Sequence, residues 1–294
     1  MEKMIMGMLA ETPVHPGAGR TVGFVDMPVA REAVTDYPVI VGSSLKGTLR
    51  SIASEKWKGT NKVDEAFGKN DDAGALVVSD ARLLLLPVRS LTGQYKWATC
   101  PYILERFFRD LERVSGKGVS FNLDDIKVDK GLDDIKVDKG KVLTNGLGNG
   151  KKIFLEEREF EVMGKTPNDI IKEIKEIIFH ENTKKRLDNQ IVIMHDDDFS
   201  WFARYGLAIN ARNVLNENKT SNNLWYEETI PTDSLFYTIL FWRKNVVKEI
   251  NDWLDWLKGL RYLQVGGNET IGQGWFVLKV IDVPEGKKCQ QVTN

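Results

Sequence analysis

The chain has few of the residues that hold small domains together covalently or through zinc. Its 294 residues include only two cysteines, Cys100 and Cys289, with no Cys-x-x-Cys pair, and only three histidines. These counts exclude a disulfide framework and a zinc ribbon, and they are typical of a protein of the reducing cytoplasm.

Long hydrophobic runs are also lacking. The chain has no stretch of about eighteen consecutive apolar residues, the length that a membrane-spanning helix needs. The first nine residues carry Glu2 and Lys3 and lead straight into Glu11 and Pro13, so they do not form the apolar segment of a signal peptide. We therefore expect a cytoplasmic protein with no membrane partner.

The chain also lacks a large net charge of either sign. Its 41 basic and 42 acidic residues leave a formal charge of −1. A free-standing coat of DNA or RNA usually carries a basic surface, so this balance argues against one. A local stripe of basic residues on the surface is still compatible with a near-neutral total charge. The length and the 42% of hydrophobic residues suffice for one elaborated globular domain or two small ones and exclude disorder as the main state.

The apolar periodicity predicts strands and helices in alternation. Strands are predicted over 3–9, 75–90, 190–194, 234–242 and 275–283. Helices are predicted from Gly42 with Ser43 or Ser44 as the cap, from Pro101, from Pro167 behind a Thr166 cap, and over 246–257. This order favours an α+β fold of the ferredoxin-like, βαββαβ kind, with helices covering one face of the sheet.

One segment, approximately 115–160, lacks this periodicity. Within it the nonapeptide LDDIKVDKG occurs twice in tandem, over 123–131 and 132–140. Two copies of so short a unit cannot build a solenoid. We interpret the segment as a surface insertion, because exposed loops accept added length at low cost.

A second feature is the helix entry PVIVGSSLKGTLR, residues 38–50. Free N–H groups at a helix start favour an anion, and Lys46 and Arg50 lie one turn apart on one face. The entry is not a Walker A loop, because Lys46 is followed by glycine, so a phosphodiester backbone is the better candidate. An ordinary capped core helix with exposed basic residues is the alternative.

The segment GGNETIGQG, residues 266–274, contains four glycines. Because glycine has no β-carbon, the backbone N–H groups of this segment can approach a polyanion closely. The spacing is not that of a Rossmann fingerprint. Together with the absent Walker spacing this disfavours a small-molecule nucleotide enzyme. A flexible connector remains the alternative.

The loop HPGAGRTVGFVDMPVARE holds the candidate catalytic residues. Asp26 is suited to bind Mg²⁺ or to polarise a ribose 2′-OH, and His15 to donate a proton. Taken separately, each residue is more simply explained as a loop residue in a structural hydrogen bond.

Two further motifs carry acidic residues. The run His195 to Asp198 suggests a metal site, but successive strand side chains alternate, so a solvated turn is the simpler interpretation. In LWYEETIP, residues 224–231, Trp225 and Tyr226 are suited to stack on bases and Glu227 or Glu228 to assist acid–base chemistry. Aromatic core packing beside solvated carboxylates is the alternative there.

Taken as an ordered set, these motifs resemble the RAMP superfamily of CRISPR-associated proteins, and within it the repeated backbone subunits of the type III-B Cmr RNA-silencing complex. The resemblance covers residues 15–275, except for about 115–190. It rests on GFVDMPVARE, YPVIVGSSLKGTLR, SDARLLLLPVRS, TCPYILERF, LWYEETIP and GGNETIGQG.

The resemblance implies a single RAMP domain over 1–294 with a ferredoxin-like, RRM-like core, a surface insertion over about 115–160, and a projecting β-hairpin thumb within 189–228. It implies several copies stacked helically along a CRISPR RNA, together with other Cmr subunits. The residues that match the family's guide-contacting positions are Ser44, Lys46, Arg50, Gly272, Gln273 and Gly274.

The family's activity is endonucleolytic cutting of guide-paired target RNA at regular intervals in antiviral defence, with a divalent cation such as Mg²⁺. Asp26 occupies the place of the aspartate that cutting requires, and we expect it to hold a metal or activate the 2′-OH. His15 and Glu227 are hypothetical assistants. A non-catalytic RNA-binding scaffold is the rival function, and the presence of Asp26 favours catalysis.

Overall fold

The computed structural model describes residues 2–69, 71–91, 93–115, 136–243 and 250–282. The strands are β1 (Glu2–Ala10), β2 (Val39–Ile40), β3 (Leu76–Val78), β4 (Ala81–Arg89), β5 (Tyr95–Thr99), β6 (Lys141–Thr144), β7 (Lys152–Leu155), β8 (Arg158–Gly164), β9 (Ile191–Met194), β10 (Ala208–Leu215), β11 (Ser221–Thr229), β12 (Leu235–Trp242), β13 (Tyr262–Gln264) and β14 (Trp275–Asp282). The helices are α1 (Gly42–Lys56), α2 (Lys62–Phe67), α3 (Pro101–Ser115), α4 (Asn168–Glu176), α5 (Glu181–Gln190), α6 (Asp196–Tyr205) and α7 (Ile250–Gly259).

Four strands form the core of the sheet in the order β14-β1-β12-β4, and every neighbouring pair is antiparallel. The central strand β1 aligns Leu9 with Leu235 and Met4 with Leu240. Helix α1 connects β1 to the second core strand, β4, and α7 connects β12 to β14. This is the βαββαβ arrangement of the ferredoxin-like fold, so the predicted fold class is confirmed.

Helices cover both faces of this sheet. On β12, Trp242 packs against Trp253 of α7, with ring centroids 5.7 Å apart, and Tyr237 packs against Phe107 of α3 at 5.0 Å. Because alternate residues of a strand point to opposite faces, α7 and α3 lie on opposite sides. The prediction of helices on one face was wrong, since α3 belongs to the long segment inserted between β4 and β12 and covers the second face.

The inserted segment also widens the sheet. Strand β5 pairs with β4 and with β9, and β6, β8 and β7 follow outward. Val142, Ile153 and Phe160 of these outer strands are buried. Residues 141–160, predicted as surface insertion, are thus built into the sheet, because β6 pairs with β9, β8 pairs with β6, and β7 pairs with β8. Most of the tandem repeat lies outside the described residues.

A two-stranded hairpin, β10–β11, stands apart from the large sheet. Its side chains are exposed over most of its length and become buried only at its base, from Glu227 to Thr229. It lies in the second half of the predicted thumb range and ends at Thr229, whereas residues 191–205 of that range form β9 and α6.

The helix starts differ from the predicted caps. Val41 is the N-cap of α1 and Pro167 that of α4, and neither Ser43, Ser44 nor Thr166 caps a helix. Instead Asp80, from the turn before β4, accepts a 2.7 Å hydrogen bond from Gly42 N–H at the start of α1. Within the described ranges, no helix is long and apolar enough to cross a bilayer.

Candidate active site and nucleic-acid interface

The loop between β1 and β2, residues 11–38, packs along the base of the hairpin. Val14 exchanges two backbone hydrogen bonds with Ile230, at 3.0 and 2.8 Å. Met27 donates to the Tyr226 carbonyl and accepts from Glu228 N–H, both at 3.0 Å. The loop therefore holds β11 at two points, and Asp26 is placed by the hairpin as well as by its own chain.

Asp26 is a partly exposed carboxylate at this junction. Its Oδ2 atom accepts a 2.8 Å hydrogen bond from the backbone N–H of Tyr226, which is 200 residues away in sequence. Its carbonyl accepts from Thr21 N–H at 3.0 Å. Among the described residues no donor faces Oδ1, so one carboxylate oxygen is anchored and the other is available for a ligand.

A buried ion pair beneath the loop supports this placement. Glu228 accepts from Arg31 Nη2 at 2.6 Å through Oε1 and from Val29 N–H at 3.0 Å through Oε2. Arg31 also donates to the carbonyls of Asp36 and Ala203, both at 2.8 Å. The pair joins the loop downstream of Asp26 to the hairpin. The sequence alone did not distinguish the role of Glu228 from that of Glu227.

His15 lies beneath the same junction and is only 4% exposed. Its Nδ1 is 2.8 Å from the Glu228 carbonyl, and a carbonyl accepts only from a protonated nitrogen. In the neutral ring Nε2 then carries the lone pair and acts as a proton acceptor. The predicted role as a proton donor therefore requires the doubly protonated ring.

Glu227 points to the other side of β11 and is 2% exposed. Its carboxylate accepts from Arg212 at 3.4 Å and from the side-chain amide of Asn268. Asn268 in turn donates to Gln273 Oε1 at 2.9 Å. Glu227 thus links the hairpin to the glycine-rich loop, and its burial favours a positioning role over direct proton transfer.

The glycine-rich loop 266–274 packs on the residues that follow β1. Gly267 N–H donates to His15 O at 2.9 Å and Gly274 N–H to Pro13 O at 2.9 Å. The N–H groups of Gly272 and Gln273 donate within the loop. The three backbone N–H groups of 272–274, predicted to face a polyanion, are therefore already bonded, and RNA would meet the exposed surface of Gly272 and the side chain of Gln273.

The predicted cations of α1 line a groove of about 620 Å³ together with Lys69 and Arg243. Arg50 is held by a 2.7 Å ion pair with Asp64. Burial, and then the guanidinium groups of Arg243 and Arg50, lower the pKa of Lys46 from its usual value. Asp72 is the acidic residue in the lining, so the groove keeps an excess of positive charge.

This groove and the glycine-rich loop lie at opposite ends of β12. Arg243 directly follows the last residue of the strand, whereas the loop packs on residues 13–15, which follow the end of β1 that pairs with Leu235. Seven residue steps separate Leu235 from Trp242, or about 24 Å at the usual rise of a strand. The structure therefore does not bring the predicted RNA-contacting residues into one pocket. Ser44 is exposed on α1.

The described residues contain no group of three His, Cys, Asp or Glu side chains arranged to hold a metal ion. In the run after β9, His195 caps α6 and Asp198 is buried against Arg158 at 2.7 Å. That motif is a helix start, so neither the metal site nor the solvated turn describes it fully. Asp26 offers one carboxylate, and Mg²⁺ is commonly held by one or two carboxylates plus substrate phosphates. Its free oxygen fits that limited role.

Comparisons with known proteins agree with this architecture. The model of the RAMP superfamily matches residues 8–277. The chain is 34% identical over 299 residues to the CRISPR system Cmr endoribonuclease Cmr4 of Pyrococcus furiosus, which covers 96% of this chain and 97% of that protein.

Solved structures extend the likeness to the fold. Oligomeric Cmr4 from Pyrococcus furiosus superposes with a TM-score of 0.72 at 29% identity, covering 97% of this chain and all of that one. A chain of the type III-B Cmr-beta complex bound to cognate target RNA gives 0.77 at 23% identity, over 95% of this chain and 97% of that one, and supports the fold alone. The chain belongs to the RAMP superfamily and, within it, to the family of Cmr4.

Proposed function

We propose that this protein is an RNA-guided endoribonuclease subunit that binds a CRISPR RNA and cuts the target RNA paired with it. Copies of the chain stack helically along the guide with the other subunits of a type III-B Cmr complex in the cytoplasm, and each copy cuts once, so that cuts fall at regular intervals. The main support for this proposal is the position of Asp26, a partly exposed carboxylate that is hydrogen-bonded to the base of a projecting hairpin. The chain is also similar over nearly its whole length to a protein named as an endoribonuclease.

Guide binding is assigned to two surfaces that a single RNA strand would cross. Lys46 and Arg50 belong to a groove with excess positive charge, which attracts phosphates. At the other end of β12, the exposed Gly272 and the side chain of Gln273 form the second surface, and the buried Gly274 holds the loop through its bond to Pro13 O. Ser44 is exposed on α1, the helix that carries Lys46 and Arg50. Two separated contact points favour an extended polymer over a mononucleotide.

The cutting step follows from the chemistry of RNA. Asp26 accepts the proton of a ribose 2′-OH, the 2′-oxygen attacks the adjacent phosphorus in line, and the bond to the 5′-oxygen breaks. The products are a 2′,3′-cyclic phosphate and a 5′-hydroxyl that takes up a proton. The 2.8 Å bond from Tyr226 N–H orients the carboxylate without consuming both of its oxygens.

As an alternative to accepting the 2′-OH proton, the free oxygen of Asp26 would hold a divalent cation such as Mg²⁺. The cation would supply positive charge beside the RNA phosphate. His15 and Glu227 then position β11 and the glycine-rich loop around Asp26, since both are buried and hydrogen-bonded to these elements.

The test is Asp26→Asn in a complex reconstituted with guide RNA, Mg²⁺ and end-labelled target. Loss of a general base lowers the rate about 100-fold or more, and target affinity stays unchanged. Asp36→Asn is the matched control, because Asp36 lies on the same loop, is half-exposed and pairs with Arg204 at 3.3 Å. Wild-type cutting by Asp26→Asn at unchanged affinity would refute the assignment. A wild-type complex that binds target and leaves it intact would favour the scaffold.

A further inference from the structure

The loop that carries Asp26 also carries three fully exposed apolar side chains, Val22, Phe24 and Val34. Phe24 is 91% exposed, and Val22 has no neighbour that covers it. Burying a side chain of this size typically contributes about 1.5–3 kcal/mol, so a phenylalanine left in water gains nothing for folding. Such a residue is better explained by a ligand than by the fold.

The turn that presents Phe24 is closed by its own hydrogen bonds. Thr21 N–H donates to the Asp26 carbonyl at 3.0 Å, and the Thr21 hydroxyl donates to the Val25 carbonyl at 2.9 Å. Asp26 is anchored in turn to Tyr226. Phe24 is therefore held outward on a short closed turn, with little freedom to fold back onto the protein.

Covalent geometry keeps Phe24 close to the reacting group. Two residues span at most about 7 Å of chain, so whatever binds Asp26 also lies within reach of the Phe24 ring. In RNA the base and the 2′-OH are attached to neighbouring carbons of one ribose. A nucleotide whose 2′-OH meets Asp26 therefore carries its base to this side of the loop.

We propose that Phe24 stacks on the base of the target nucleotide that donates the attacking 2′-OH, and thereby holds its ribose for in-line attack. The inference rests on the proposed function. Tyr226, whose backbone N–H binds Asp26, is a second exposed aromatic residue at this junction, 43% accessible. Stacking tolerates any base because every base has a π-face, which suits a protein whose sequence specificity comes from the guide.

The surroundings favour RNA over a second protein. Arg20, four residues before Phe24, is exposed on the same loop, and an aromatic ring beside a cation is the usual surface for single-stranded RNA. A protein partner that covered Phe24 and the free carboxylate oxygen of Asp26 together would have to supply a hydrogen-bond donor to that oxygen.

The experiment uses the reconstituted complex with Phe24→Ala, Phe24→Trp and the control Leu91→Ala. Leu91 is likewise an exposed apolar residue, 73% accessible, at the turn after β4. Single-turnover cutting at saturating target is expected to fall about tenfold or more in Phe24→Ala, to be retained in Phe24→Trp, and to stay unchanged in Leu91→Ala. Guide affinity should not change in any of them.

Two readouts separate stacking from a structural effect. An abasic target nucleotide at the cut site should slow the wild type as much as Phe24→Ala does, and the two changes together should cost no more than either alone. A 2-aminopurine at that nucleotide should fluoresce more strongly in the Phe24→Ala complex.

Three results would overturn the proposal. The first is full activity of Phe24→Ala, and the second is additive losses of cutting rate when Phe24→Ala is combined with the abasic target. The third is a smaller number of copies assembled on the guide in Phe24→Ala, which would indicate that Phe24 contacts a neighbouring copy. Failure of the proposed function is distinguishable, because Asp26→Asn would then cut normally.

Discussion

Replacing Glu228 by alanine tests whether the hairpin base positions Asp26. The carboxylate has two partners, Arg31 Nη2 at 2.6 Å and Val29 N–H at 3.0 Å, and its side chain is 8% exposed. Both partners lie in the loop a few residues beyond Asp26. Their loss frees that part of the loop from β11, while the backbone pairs around Met27 remain.

The size of the effect follows from burial. Breaking one partner out of a buried ion pair costs about 3–5 kcal/mol, and leaving a buried N–H without an acceptor costs about 1–3 kcal/mol. The two terms share one carboxylate and do not add fully. Arg31 keeps its bonds to two carbonyls, so we expect a loss of about 3–4 kcal/mol in the free energy of unfolding.

Asp198→Ala is the matched control. Asp198 is buried, pairs with Arg158 at 2.7 Å and accepts from Gly140 N–H at 2.8 Å, so it too binds one guanidinium and one backbone N–H. It lies on α6, against the outer part of the sheet. The two variants should lose similar stability, and any difference in cutting must then come from position.

The assay measures urea unfolding of each isolated variant and then target cutting by reconstituted complexes, expressed per folded molecule. We expect Glu228→Ala to cut at least tenfold more slowly than Asp198→Ala at equal guide and target binding. Equal activities at equal folded fractions would show that the Arg31–Glu228 pair supports the fold and does not position Asp26.

Further predictions concern the guide groove and the glycine-rich loop. Lys46→Ala and Arg243→Ala should each weaken guide binding and reduce the slope of log affinity against log salt by about 0.7, whereas Lys152→Ala, at an exposed position of β7, should do neither. Filter binding from low to high salt measures this, and an unchanged slope would remove the groove from the interface. Gly266→Ala should lower the melting temperature more than Gly272→Ala. Both glycines have a positive φ, but only at position 266 would a Cβ lie 2.7 Å from the His15 carbonyl oxygen. Equal decreases in the melting temperature of the two variants would contradict this packing.

Much of the core was predictable from sequence, because its signals are local. Alternating apolar residues predict strands such as β1 and β12, and glycines and prolines predict the loop that carries Asp26. The outer strands β6 to β8 escaped prediction, since they lie in a segment rich in Gly, Asp and Lys and are recognised as strands only by their pairing in the sheet widened by β9. Helix α6 was missed because its first turn is a run of aspartates, which resembles a loop until Asp198 is seen against Arg158.

The candidate site likewise has features that the local sequence predicts and features that only the tertiary structure reveals. Residue type and order place a carboxylate on a glycine-flanked loop and two basic residues one turn apart on a helix, and both features survive in the structure. Neighbours in sequence do not reveal that Asp26 is oriented by Tyr226, that Glu227 and Glu228 serve opposite sides of one strand, or that Lys46 shares its groove with Arg243. Those relations depend on which strands pair and in which register, and a shift of one residue would exchange the partners of the two glutamates.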